Sequence, residues 1–229
     1  MEKQTIETNV IKPKLSIFSD EVEYRLISSE TEKQLDKGID DIESFMVKNH
    51  GYGQPDEIKD QLYTDAKILW NKYAEILRES KYTFYLNRKQ YSFLTTLLRD
   101  KLEYDVNTIF LAIELTNMLG DWVSSEKHKS DKELKGYTSD ATEVTYMYHL
   151  IAKHKVIGLT SNSYLFAEIL KKIGDISKII SYYDTAAKNL SKSIQEWVGS
   201  FEPQDQNIEK EEKSDSIKAK KVSPKEIVE

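Results

Sequence analysis

From Phe166 to Phe201 apolar residues recur at alternating spacings of three and four: Phe166, Ile169, Ile173, Ile176, Ile180, Tyr183, Ala187, Leu190, Ile194, Trp197 and Phe201. An unbroken 3.5-residue period of this kind marks a helix that packs one stripe along other helices, as in a coiled coil or bundle. The spacing predicts a single helix from about Ser161 to Ser200, roughly 60 Å long at ~1.5 Å per residue. Gly174 costs ~1 kcal/mol relative to alanine inside a helix, yet the apolar phase passes through it unshifted. The positions flanking the seam are Leu170, Ser177, Asp184, Ser191 and Val198 on one side and Lys172, Ile179, Ala186, Ser193 and Ser200 on the other. A two-stranded zipper places complementary charges there. Small and apolar residues predict instead that the seam is covered within its own chain.

Upstream, the pattern predicts four or five further helices. Ser29-Glu-Thr-Glu32 matches a capping box, and Leu35, Ile39, Ile42 and Met46 follow at helical spacing, giving a helix near 30 to 48. After the turn signal Asn49-His-Gly-Tyr-Gly-Gln54, Pro55 at a first helical position opens a second helix to about Ser80. Its stripe is Ile58, Leu62, Ala66, Leu69, Tyr73 and Ile76. Asn87 with Gln90 starts a third, carrying Tyr91, Leu94, Leu98 and Leu102, and Asp105 caps a fourth. In the fourth helix the polar stripe narrows to Asn107, Glu114, Asn117 and Asp121, which predicts a helix surrounded by neighbours at the centre of the core. Residues 124 to 140 read as a polar loop. A fifth helix starts near Asp140, with Val144, Met147, Tyr148 and Ile151 on one face, and ends near Gly158.

The two ends differ from this body. Residues 1 to 27 alternate loosely around Pro13, as an extended arm or edge strand does. Residues 203 to 229 lack aromatic side chains and mix acids with lysines, a composition that cannot bury enough apolar area to offset the entropy of ordering. The expected organisation is thus an arm over 1–27, a helical domain over 28–202 and a disordered charged tail over 203–229. The fold class is all-α: a bundle of about five or six helices organised by the long C-terminal helix.

Composition narrows the function classes. The four prolines, Pro13, Pro55, Pro203 and Pro224, leave residues 56 to 202 free of the strongest helix breaker. With no cysteine there is no disulfide framework, thiolate nucleophile or cysteine-ligated metal. The start carries no signal pattern and no run approaches the ~18 apolar residues of a membrane span, which predicts a cytosolic protein or part of a particle assembled in a cytosol. A bias toward Lys, Ile, Asn and Tyr points weakly to an AT-rich genome, such as that of many phages. The net charge of −6 opposes whole-protein attraction to a phosphate backbone and leaves only a local patch for nucleic acid.

Few residues invite chemistry. His149 and His154 are five apart, on different helix faces, and neither His50 nor His128 completes a ligand pair, so no metal is expected. Gly51 and Gly53 make a turn rather than a phosphate cradle, and Asp36, Asp40, Asp41 and Glu43 read as a solvated face. Asn189-Leu-Ser191 has the form of a glycosylation acceptor, without chemistry in a cytosol. Glu114 is either a buried carboxylate or a residue facing water.

The strongest local binding candidate is the segment 81 to 93, where Lys81, Arg88 and Lys89 interleave with Tyr82, Phe84, Tyr85, Tyr91 and Phe93. Cations among stacking planes suit a protein hot spot or a single strand; the alternative is that the rings fill the core at a helix junction. The lysines of 124 to 140 form a second, weaker candidate surface. Trp197 and Phe201, at the end of the long helix, are candidates for contact with another subunit. The expectation is a non-enzymatic structural or interaction protein, such as a component of a phage particle or another assembly. It needs no cofactor, and any self-association runs through the arm, the 81 to 93 segment or the Trp197–Phe201 end. Its rivals are an accessory factor touching nucleic acid through 81 to 93, and an enzyme assembled from scattered residues such as Glu114 with His149 or His154.

Overall fold

A computed structural model describes residues 11–19, 21–100, 109–125, 132–153 and 161–202. Among them the chain is mostly helical, with six helices and two small antiparallel sheets. In order they are β1 (Ser16–Ser19), β2 (Val22–Arg25), α1 (Ser29–Lys48), α2 (Asp56–Glu79), β3 (Lys81–Leu86), α3 (Arg88–Asp100), α4 (Ile109–Ser125), β4 (Lys135–Asp140), α5 (Ala141–Lys153) and α6 (Ser161–Gly199). The proposed Asp105 cap, Leu102, the Gly158 end of the fifth helix, residues 1–10 of the arm and the 203–229 tail lie outside the described residues.

α6 is the single helix that the 3.5 period predicts, 39 residues long. Ile169, Ile173, Ile176 and Ile179 are fully buried along it. No one neighbour can cover such a length, and two sets of elements share it. α3, α5 and β3 take the first half, where Gln90, Tyr148 and Tyr85 meet Glu168, Gly174 and Lys172. α1 and α2 take the second: Trp70 Nε1 donates to the Ala187 carbonyl at 3.4 Å and the Tyr73 hydroxyl to the Tyr183 carbonyl at 3.2 Å. The Tyr183 hydroxyl in turn donates to Asp36 Oδ1 at 3.2 Å.

Helix starts fall where side chains can satisfy exposed N–H groups. Ser28, one residue before the expected position, caps α1 by accepting from Thr31 N at 3.0 Å. Glu32 does not close a box there because the earlier start puts Thr31, not Glu32, three residues after the cap, and the Glu32 carboxylate pairs with Lys12 and Arg25 instead. Asn87 and Gln90 form the anticipated box on α3, with Gln90 N donating to Asn87 Oδ1 at 2.9 Å and Asn87 N to Gln90 Oε1 at 3.1 Å. Asp140 and Glu143 repeat the device on α5.

Strands were not part of the expected bundle. Lys81–Leu86 pairs antiparallel with Lys135–Asp140, from Lys81 opposite Asp140 to Leu86 opposite Lys135. Thus the stretch read as a helix junction is β3, and the end of the stretch read as a polar loop is β4. Period two explains the first: Tyr82, Phe84 and Leu86 point inward, alternating with Lys81, Thr83 and Tyr85. The described part of the arm is a β1–β2 hairpin joined to this sheet by Thr83 N donating to the Leu26 carbonyl at 2.8 Å. Leu26 and Ile27 are core residues.

α4 is placed differently from the expectation. It rests chiefly on α3 and turns Ala112, Leu115 and Leu119 inward, while Ile109, Phe110 and Ile113 face solvent. The centre of the core is α6, not α4.

Candidate functional site

The 81 to 93 segment separates its cations from its rings. Strand alternation and the first turn of α3 leave Lys81, Arg88 and Lys89 exposed. Tyr82, Phe84 and Tyr91 are completely buried. Tyr85 is half-buried, its hydroxyl donating to the Arg25 carbonyl at 3.2 Å and its ring edge-on to Tyr24 at 4.8 Å. Phe93 is also half-buried against the core. Tyr82 and Tyr91 therefore offer no face to a base or a partner side chain, and the core alternative describes them. Lys81 lies 3.8 Å from Asp140 across the strand pair.

The Trp197–Phe201 end is likewise turned inward. Trp197 Nε1 donates to the Asn49 carbonyl at 3.1 Å, and its ring lies 5.8 Å from Phe45 and 4.6 Å from Phe201, edge-on to both. Phe201 is 4% exposed and sits against Gly51, where a Cβ would come within 2.4 Å of the ring. These side chains staple the end of α6 to the end of α1. The arm is used internally as well: Lys12 spans Glu32 and Asp36, at 3.1 and 2.6 Å, and Arg25 pairs with Glu32.

One polar junction lies where β3, α3 and α6 meet. Lys172 Nζ donates to the Tyr85 carbonyl at 2.8 Å and to Gln90 Oε1 at 3.0 Å, and Gln90 Nε2 donates to Glu168 Oε2 at 2.8 Å. Burial lowers the Lys172 pKa from its ordinary value, opposed by the Glu168 charge. Sequence reasoning identified Gln90 as a cap but not the α6 pair, since nothing in spacing joins residues 90 and 172. These bonds hold the start of α3 against α6, the description of a structural tie.

The residues proposed for catalysis are dispersed. Glu114 and His149 are exposed, on α4 and α5, and His154 lies outside the described residues. A cleft of about 330 Å³ between α1 and α2 has Leu69, Tyr73 and Ile76 as its floor and Gln34, Lys37, Asp41 and Lys72 at its rim. Among the described residues no group of histidines and acids is arranged to hold a metal ion, and no helix is long and apolar enough to cross a membrane.

What stands open is α4. Ile109, Phe110 and Ile113 are 41%, 70% and 49% exposed, adjoining on one face, on the most apolar of the described helices. Scattered exposed apolar residues are ordinary; three that adjoin on one helix face form a patch. The sequence carries this signal as excess hydrophobicity, which by itself predicts burial within the chain. Comparison of the chain with protein-family models, curated proteins and solved structures finds no match.

Proposed function

We propose that the chain is a non-enzymatic interaction protein, a subunit that joins other protein subunits through the outward face of α4. The observation that carries this reading is the exposure of Ile109, Phe110 and Ile113 on an otherwise apolar helix. Burial of Tyr82, Phe84 and Tyr91 weighs against nucleic-acid contact through residues 81 to 93, and the exposure of Glu114 and His149 on two different helices weighs against an enzyme built on that pair. The fold behind the reading is a bundle organised on α6, with the β-ribbons as fasteners. A cytosolic setting, or a phage particle as the assembly, rests on composition alone.

The test is recovery of complexes from the native source by affinity purification after crosslinking. Phe110→Asp with Ile113→Asp should lose the partner subunits that the unaltered chain retains, while Phe18→Asp, at an equally exposed phenylalanine on the β1–β2 hairpin, should keep them. Equal recovery by all three would refute the assignment.

A further inference from the structure

α1 and α2 pack along one another and leave between them the cleft of about 330 Å³. Its floor is fixed in place. Tyr73 is 1% exposed, its hydroxyl held by the Tyr183 carbonyl, and half-buried Leu69 and Ile76 stand one turn to either side of it on α2. Gly38, in the opposite wall, has no side chain to fill the space. The charges lie at the mouth: Lys37 and Asp41 one turn apart on α1, and Lys72 on α2. Lys37 and Asp41 have the spacing of a helical ion pair, as Lys192 and Glu196 do on α6, where the pair forms. Here it does not, and none of the three has an ion-pair or hydrogen-bond partner among the described residues.

The size of the cleft limits what enters. One helical turn, ~10 Å across and ~5.4 Å long, fills about 400 Å³, so the space is too small for an element of another protein. At ~30 Å³ per water it holds about eleven waters, or a molecule of about ten non-hydrogen atoms. The lining then selects among small molecules. A plain anion is opposed by Asp41, a plain cation by both lysines, and a neutral apolar molecule takes water from all three charges without replacing it. A zwitterion with an apolar side chain meets every group. We infer that the cleft binds an apolar α-amino acid, its carboxylate between Lys37 and Lys72, its ammonium on Asp41 and its side chain on Leu69, Tyr73 and Ile76. The site is on α1 and α2 and is independent of the α4 face.

Saturation-transfer NMR with the purified full-length chain, titrated with L-leucine and L-phenylalanine, tests this. About ten atoms at ordinary ligand efficiency give a dissociation constant of roughly 0.1 to 10 mM. Glycine, with the same charges and no side chain, should not bind detectably. 4-Methylpentanoate, which lacks the ammonium, and 3-methylbutylamine, which lacks the carboxylate, should each bind about threefold or more weakly than leucine. Lys37→Met with Lys72→Met should weaken leucine about tenfold or more, and Asp41→Asn about threefold or more. These positions are exposed, so folding survives, which circular dichroism checks. Lys67→Met, exposed on α2 outside the cleft, should change nothing.

Absence of binding by both amino acids up to about 20 mM, beyond that range, would overturn the proposal. Equal binding of 4-methylpentanoate would make the cleft a site for carboxylates, and equal binding of 3-methylbutylamine a site for amines; either result overturns it. So does an affinity indifferent to the paired lysine change or to Asp41→Asn, which places the ligand elsewhere on the chain.

Discussion

Gly38 and Gly174 lie inside α1 and α6, and replacing either with alanine gains the same ~1 kcal/mol of helix propensity. Their surroundings decide the outcome. A Cβ on Gly38 would meet Cδ2 of Tyr73 at 2.7 Å, with Cβ and Cγ of the same residue at 3.5 Å. Tyr73 is 1% exposed and held at its far end by the Tyr183 carbonyl, so its ring cannot swing away and the two helices must separate. Overpacking a filled core costs typically ~1 to 3 kcal/mol, which leaves Gly38→Ala destabilising by up to about 2 kcal/mol. At Gly174 the nearest atom is Cε2 of Tyr148 at 3.2 Å, on a half-buried ring with room to yield a few tenths of an ångström. Gly174→Ala should therefore stabilise, by up to ~1 kcal/mol. Urea unfolding followed by circular dichroism measures both, with the midpoint moving in opposite directions at unchanged slope. Replacing Tyr73 by leucine should reduce the Gly38→Ala penalty, a non-additivity expected of residues in contact. Shifts of the same sign at the two glycines, or a more damaging change at Gly174, would refute the packing account.

Truncating Ile176 to alanine, at a fully buried position of α6, should cost ~2 to 5 kcal/mol in the same assay, whereas Lys178→Ala, which gives up only an exposed pair with Asp175, should stay within ~0.5 kcal/mol. Ile27→Ala should also cost ~2 to 5 kcal/mol and should act on the monomer, because Ile27 is core; an effect confined to assembly would restore the arm as a contact element. Phe201→Ala should cost ~3 to 5 kcal/mol and loosen Trp197, read as a red-shifted and more quenchable tryptophan emission. Burial raises the pKa of Tyr73, Tyr82, Tyr137 and Tyr183, that of Tyr137 to about 12. In the unfolded chain all four ionise near pH ~10 while the folded chain keeps them protonated, so this contribution is complete below pH ~10 and is lost as pH rises beyond it, at up to ~5 kcal/mol per pH unit for four groups. Stability measured from about pH 9 to 11 alongside tyrosinate absorbance checks it, and a flat profile would mean that these hydroxyls reach solvent.

Local features were the most legible. The boundaries of α1, α2 and α6 follow from apolar periodicity and from caps, because both are read within a few residues of one another. The capping box at Asn87 and Gln90 is visible for the same reason. The β3–β4 pairing was not legible, because it joins residues 49 to 59 positions apart and Lys135–Asp140 carries only one aromatic side chain, Tyr137, to announce it. The aromatic run of 81 to 86 contained the period-two signal, but cations between rings satisfy a strand and a binding surface equally well until burial is known. Lys172 illustrates the same limit: its acceptors, Tyr85 O and Gln90 Oε1, come from other elements, and only the fold brings them to it.

α4 was misplaced for a different reason. A nearly continuous apolar face requires cover, but hydrophobicity does not distinguish cover by the same chain from cover by another. Here the chain's own resources are spent elsewhere. α6 needs α3, α5 and β3 over its first half and α1 and α2 over its second, and the arm, Trp197 and Phe201 close the remaining gaps. α4 is a further layer, supported on α3, with its outward ridge beyond the reach of the elements that cover α6. Tyr82, Phe84 and Leu86 of β3 are folded inward and leave only Lys81 exposed on that strand, whereas Ile109, Phe110 and Ile113 of α4 stay exposed because no described element of the chain is packed over them. The same demand to remove apolar surface from water that packs the helices and strands against α6 is therefore left unmet at Ile109, Phe110 and Ile113.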